Sequence, residues 1–285
     1  MGKCSSGKIQ GTHKVKLQRT DKDTEDRCLL VDGLRSRSMQ LTVHLVSDVT
    51  KSALPHKSQR THNYTHPSVN SISWAPHELG SILACASSDG NVSVLAFNDD
   101  GSWGLDMVAA HPMGCNAVSW APATVPGSLI TAQQPTSQRQ PNQAETDVSS
   151  PQNGTVRRFA SAGCDNVVKI WEYSQDSKKW EQVEQLTGHT DWVRDVAFAP
   201  NIGLPRSYLA TCSQDRTVLI WTQDGLNSPW TKTALNPEPG SDKFADTVWR
   251  VSWSVSGNVL AVSCGDGKVT LWKENLKGAW ECCSE

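Results

Sequence analysis

No stretch of this 285-residue chain is apolar for long enough to cross a bilayer, and its first residues lack the apolar core of a signal peptide. Any membrane contact is therefore expected to run through a partner. Nine cysteines are present, but none has Cys-x-x-Cys spacing, and there is no His-Glu-x-x-His, so no metal site is expected. Also missing are a phosphate-cradling Gly-Lys-Ser/Thr loop and a nucleophile elbow. The expectation is accordingly no enzyme, with no catalytic, metal or cofactor residue. A net charge of -2 argues against a dedicated nucleic-acid binder. Cys85, Cys212 and Cys264 fall in apolar strand-like runs, where a free thiol packs as a small hydrophobe; a reduced, cytosolic or nuclear chain is the simple reading.

Tryptophan is missing from the first 65 residues, yet all twelve lie between Trp74 and Trp280. Charge divides at the same place. Residues 1–65 hold twelve Lys/Arg against six Asp/Glu, and residues 66–285 hold fifteen against twenty-three. Residues 1–65 therefore read as a disordered basic segment, with one apolar patch from Met39 to Val46.

What is abundant beyond residue 65 is repetition. From His189 to Trp230, three runs rich in Val, Ile and aromatics alternate apolar and polar residues, the period of a half-buried strand. The unit recurs four times when aligned on a turn acid: Asp89, Asp165, Asp215 and Asp266. Six residues after each stands Leu95, Trp171, Trp221 or Trp272, and eight or nine residues later Trp103, Trp180, Trp230 or Trp280. Upstream, Trp74, Trp120, Phe198 and Trp253 each close a first strand, and His66, His111 and His189 open the first three copies. A unit of this length, opening on Gly-His and carrying Trp on its third strand, is the blade repeat of a WD-repeat β-propeller. The expected fold is therefore all-β, with four blades over residues 66–110, 111–188, 189–245 and 246–285 after the non-matching segment 1–65. A Gln-, Ser- and Pro-rich loop, residues 131–155, stretches the second copy: Trp120 to Asp165 is 45 residues, where Phe198 to Asp215 is 17. Asp89-Gly90 and Asp266-Gly267 predict type I′ hairpin turns.

The repeating acids are expected to be structural. Each falls once per copy, so they are spread around the fold rather than paired. In the third copy His189, Ser213, Asp215 and Trp221 are expected to form a buried hydrogen-bond relay, stable only if every member is satisfied. A Ser-His-Asp hydrolase is not expected, because no oxyanion-hole segment accompanies Ser213.

Three stretches go beyond the generic repeat. They are His111-Pro-Met-Gly-Cys-Asn-Ala-Val-Ser-Trp-Ala-Pro122, the run from His189 through Thr-Asp-Trp-Val-Arg-Asp to Pro205, and Val248-Trp-Arg-Val-Ser-Trp253 with its continuation to Glu274. They resemble the small WD-repeat subunit of the COPII outer coat, which is also a subunit of the Y-shaped nuclear pore scaffold. The resemblance covers about residues 64–285. It implies a scaffold for vesicle formation at the cytoplasmic face of the endoplasmic reticulum and a place in the pore's outer ring. It also implies a six-blade propeller that stays open until a large α-solenoid coat subunit, or a pore nucleoporin, inserts one more blade. A role in a nutrient-signalling coat is implied as well. The four copies match the last four of those six blades, and residues 1–63 do not match the first two. The expectation is an open four-blade arc, with the N-terminal segment traced to a variant transcript or a mistaken first exon. The alternatives are a WD-repeat substrate adaptor and the sister propeller of the pore scaffold.

Overall fold

The computed structural model describes residues 67–124, 156–201, 205–225, 228–238 and 240–284, all within the unit Gln59–Glu285. The segment 1–65, His66 and the loop 131–155 lie outside the described residues. Sixteen strands form four antiparallel sheets, each built from four strands consecutive in sequence. The first holds β1 (Val69–Trp74), β2 (Ile82–Ser87), β3 (Asn91–Phe97) and β4 (Trp103–Ala109). The second holds β5 (Cys115–Trp120), β6 (Arg158–Gly163), β7 (Val167–Ser174) and β8 (Lys179–Thr187). The third holds β9 (Val193–Phe198), β10 (Ser207–Ser213), β11 (Val218–Gln223) and β12 (Thr231–Ala234). The last holds β13 (Val248–Trp253), β14 (Val259–Cys264), β15 (Val269–Glu274) and β16 (Trp280–Ser284). No described helix is long and apolar enough to cross a membrane.

The first strands pack on one another in sequence order, β1 on β5, β5 on β9 and β9 on β13. Among the described residues no comparable packing joins β13 back to β1. Three apolar cores therefore lie between four blades. The third blade shows how alternation feeds two of them. Leu209, Leu219 and Trp221 face the second blade, while Tyr208, Ala210, Cys212, Val218 and Ile220 face the fourth. Burial on both faces explains why β6, which feeds two of these cores, is buried along its whole length. It also explains the Ala-rich β6, because small side chains let neighbouring sheets approach.

The hairpin turns differ from the expected type I′. That type needs positive φ at two consecutive residues, and Asp89 and Asp266 do not have it. Gly90 and Gly267 alone are left-handed, at φ 88° and 85°, and the same position is held by Asn166 and Arg216. The Gly90 N–H bonds the Ser87 carbonyl and the Gly267 N–H that of Cys264, closing a four-residue turn that ends on the left-handed glycine. The loop is longer than two residues because the Asp carboxylate takes the N–H two positions on, Asn91 for Asp89 and Lys268 for Asp266.

Candidate partner-docking site

In the two middle blades the turn acid anchors a buried hydrogen-bond relay across the sheet. In the second blade, Asp165 lies 2.8 Å from His111 Nδ1, and His111 Nε2 lies 2.8 Å from the Ser161 hydroxyl. The Trp171 indole N–H donates to that hydroxyl at 2.9 Å. The third blade repeats the arrangement. Asp215 meets His189 Nδ1 at 3.1 Å, His189 Nε2 meets the Thr211 hydroxyl at 2.9 Å, and Trp221 donates to Thr211 at 3.0 Å. The donors order themselves in one direction. Indole gives to hydroxyl, hydroxyl to imidazole Nε2, and imidazole Nδ1–H to carboxylate.

Ser213 is not the relay hydroxyl. Thr211, two residues earlier on the same face, fills that place, as Ser161 does in the second blade. Ser213 sits where β10 gives way to the turn; it donates to the Asp191 carbonyl and accepts the Asp215 N–H. Period-two spacing puts both hydroxyls on one face, and only the diagonal reach of Trp221 across the strand pair selects Thr211.

Burial alone would raise the Asp215 carboxyl. Hydrogen bonds from His189, Thr217 and the Thr190 N–H override it and hold the group well below the usual carboxylate range. Asp165 is held low in the same way, by His111 and by the nearby Lys169 charge.

The outer two copies dispense with the relay. In the last blade, Phe244 stands at the histidine position and Val262 at the hydroxyl position. Phe244 packs edge-on against Trp272 at 6.0 Å, and Trp272 donates instead to Thr270. In the first blade Cys85 and Leu95 replace the hydroxyl and the Trp, and both are buried. Asp89 and Asp266 are left as turn acids. Both substitutions are visible in the sequence once it is aligned on the relay. All four acids bond within their own blades, so they form no paired-carboxylate centre.

The first and last joints between blades add a polar strap to the apolar core. Trp120 and Trp253 donate their indole N–H to the Ser73 and Ala197 carbonyls of the preceding first strand, at 3.0 and 2.9 Å. Tyr208 donates to Glu274 at 2.7 Å across the last joint. Asp195, its side chain 13 % exposed, accepts the Val251 N–H of the next blade and its own neighbour's N–H. Burial pushes its carboxyl up to about 6, against the nearby Arg250 charge and those two hydrogen bonds.

One face of this system has no counterpart. In the third strands, Val92 and Val94, Val168 and Ile170, and Val218 and Ile220 are buried against the following blade. The same positions in the last blade are Val269 and Leu271, which are 52 % and 37 % exposed. Beside them the register of β14 brings Val259, Ala261 and Ser263 onto the same face. The last blade thus leaves exposed the face that the other three bury.

Four-stranded sheets packed through their first strands, the middle two pinned by Asp–His–hydroxyl–Trp relays, define a WD-repeat β-propeller protein. The WD domain, G-beta repeat family matches residues 180–222 and 240–273. The chain is 69% identical over 236 residues to the protein transport protein SEC13 of Mycosarcoma maydis, covering 79% of this chain and 62% of that protein. It is 53% identical over 215 residues to the sec13 protein of Aspergillus clavatus (75% and 64%), and 45% identical over 236 residues to the SEC13 homolog of Drosophila melanogaster (81% and 60%). The chain resembles this SEC13 family of WD-repeat proteins, and spans a little under two thirds of the length of these relatives.

Proposed function

We propose that the chain is a structural, non-catalytic scaffold subunit of the COPII coat, serving vesicle formation and transport from the endoplasmic reticulum to the Golgi. The same reading extends to the outer ring of the nuclear pore. The chain works by docking a blade donated by a larger α-solenoid coat subunit or nucleoporin, and reaches the membrane only through such partners. A single observation carries this reading: the face bearing Val269 and Leu271 repeats, in exposed form, a surface that the other three blades bury. Covering apolar area of that kind with a partner sheet is favoured at about 25 cal/mol per Å², and closure stiffens the ring.

The test is co-purification of the full chain with a blade-donating coat subunit. The wild-type chain is expected to be retained, and Leu271→Asp to be lost without a fall in its own melting temperature, since Leu271 lies in none of the described apolar cores. Failure of the wild-type chain to bind, or undiminished binding by Leu271→Asp, would overturn the proposal.

A further inference from the structure

Every first strand carries a bulge near its start. The register skips one residue in each: Asn70, Asn116, Arg194 and Trp249. A bulge turns the skipped side chain out of the alternating pattern. In the first two blades the turned residue serves as a strap. Asn70 and Asn116 donate to the Cys115 and Val193 carbonyls of the next blade, at 2.8 and 2.9 Å. In the last two blades it forms a surface instead.

The Arg194 guanidinium lies between two indoles, 5.1 Å from the Trp192 ring centre and 4.7 Å from that of Trp249. Both rings are large and open to solvent, Trp192 by 41 % and Trp249 by 44 %. Five other tryptophans, 120, 171, 221, 253 and 272, each donate their indole N–H to an internal acceptor. Trp192 and Trp249 have no such acceptor among the described residues. Arg194 bonds Gln214 through Nη2, its Nε is buried without a partner, and it forms no ion pair among the described residues. The three side chains thus offer two apolar ring faces and two indole N–H donors.

We propose that this Trp192–Arg194–Trp249 ridge is a second docking site, for a proline-rich segment in the polyproline II conformation. Complementary hydrogen bonding selects that ligand. A proline-rich chain has carbonyl acceptors free of internal hydrogen bonds and few N–H donors of its own, the converse of the ridge. Its pyrrolidine rings are flat apolar bodies suited to indole faces. The two ring centres lie no more than about 10 Å apart, so a polyproline II segment of one to two turns, at about 3.1 Å per residue, is long enough to span both. The ridge involves none of the residues of the exposed last-blade face, so it stands or falls separately from blade insertion.

The experiment is fluorescence anisotropy on the full chain with labelled decaproline, beside a Gly-Ser peptide and an Asp/Glu-rich peptide of equal length. Saturable binding is expected for decaproline alone. Trp192→Ala and Trp249→Ala should each weaken it by about tenfold or more, the scale of an interface hot spot. Trp249→Phe keeps an aromatic face and removes the N–H, so it guards against misfolding and should give an intermediate loss. The melting temperature of each variant reports its fold. The proposal is overturned if decaproline does not bind, if folded Trp192 and Trp249 variants bind it as well as the wild type, or if the acidic peptide binds in its place through Arg194.

Discussion

The hydroxyl of Thr211 serves two rings at once, accepting from Trp221 and giving to His189. Thr211→Val keeps the shape and removes both bonds, leaving a buried indole N–H and a buried imidazole nitrogen unpaired. The expected loss is roughly 1–3 kcal/mol in a denaturant titration. Asp195 makes the opposite kind of case. Its folded pKa, about 6, lies above the value of an unfolded aspartate, so its contribution is fully present below about pH 4 and is lost as pH rises through 6. The chain should therefore gain stability between pH 7.5 and 5 from this group, on the order of 1–3 kcal/mol. Thermal melts of Asp195→Asn should lack that gain. Asp165 and Asp215 run the other way. Their depressed pKa values give stability above about pH 4 that is lost as pH falls further, so acid should weaken the relays.

At the scale of the element, the β2–β3 and β14–β15 hairpins share one turn and stand in different surroundings. Both place a glycine at positive φ, where an added side chain strains the backbone by about 1 kcal/mol. A Cβ on Gly90 would also lie 1.7 Å from the His111 carbonyl oxygen, whereas one on Gly267 would meet nothing within 4 Å. Gly267→Ala should cost little more than the strain. Gly90→Ala should cost clearly more, since the link between the first and second blades must move. Equilibrium unfolding of the two variants side by side checks the difference. The contrast comes from position in the fold, because the Asp-Gly pairs are the same in sequence.

At the scale of the whole molecule, three joints between the described blades are packed and the outer face of the last blade is exposed. Isolated chains should meet through that face, because an exposed apolar surface of this kind favours association. Sedimentation at rising concentration is expected to show self-association of the wild-type chain, reduced in Leu271→Lys. If a blade-donating partner binds the same face, adding it should compete with self-association and raise the melting temperature in proportion to its concentration.

The order of strands, the number of sheets and the residues that mark each turn could all be read from the chain itself. A strand's period of two states which side chains share a face, and the repeated Asp and Trp intervals set four such units in register. The same reading could not decide between Thr211 and Ser213, because both sit on the correct face and only the path of the Trp221 ring across the strand pair chooses one. Nor could it give the turn type at Asp89, which depends on where the carboxylate finds its N–H. The bulges at Asn70, Asn116, Arg194 and Trp249 have no sequence signature, since register slips arise from pairing with a neighbour. Exposure of Val269 and Leu271 is of the same kind. Their sequence matches that of Val218 and Ile220, and what differs is whether another blade lies against them. Local periodicity is a property of the strand; what faces it is set only when the sheets pack.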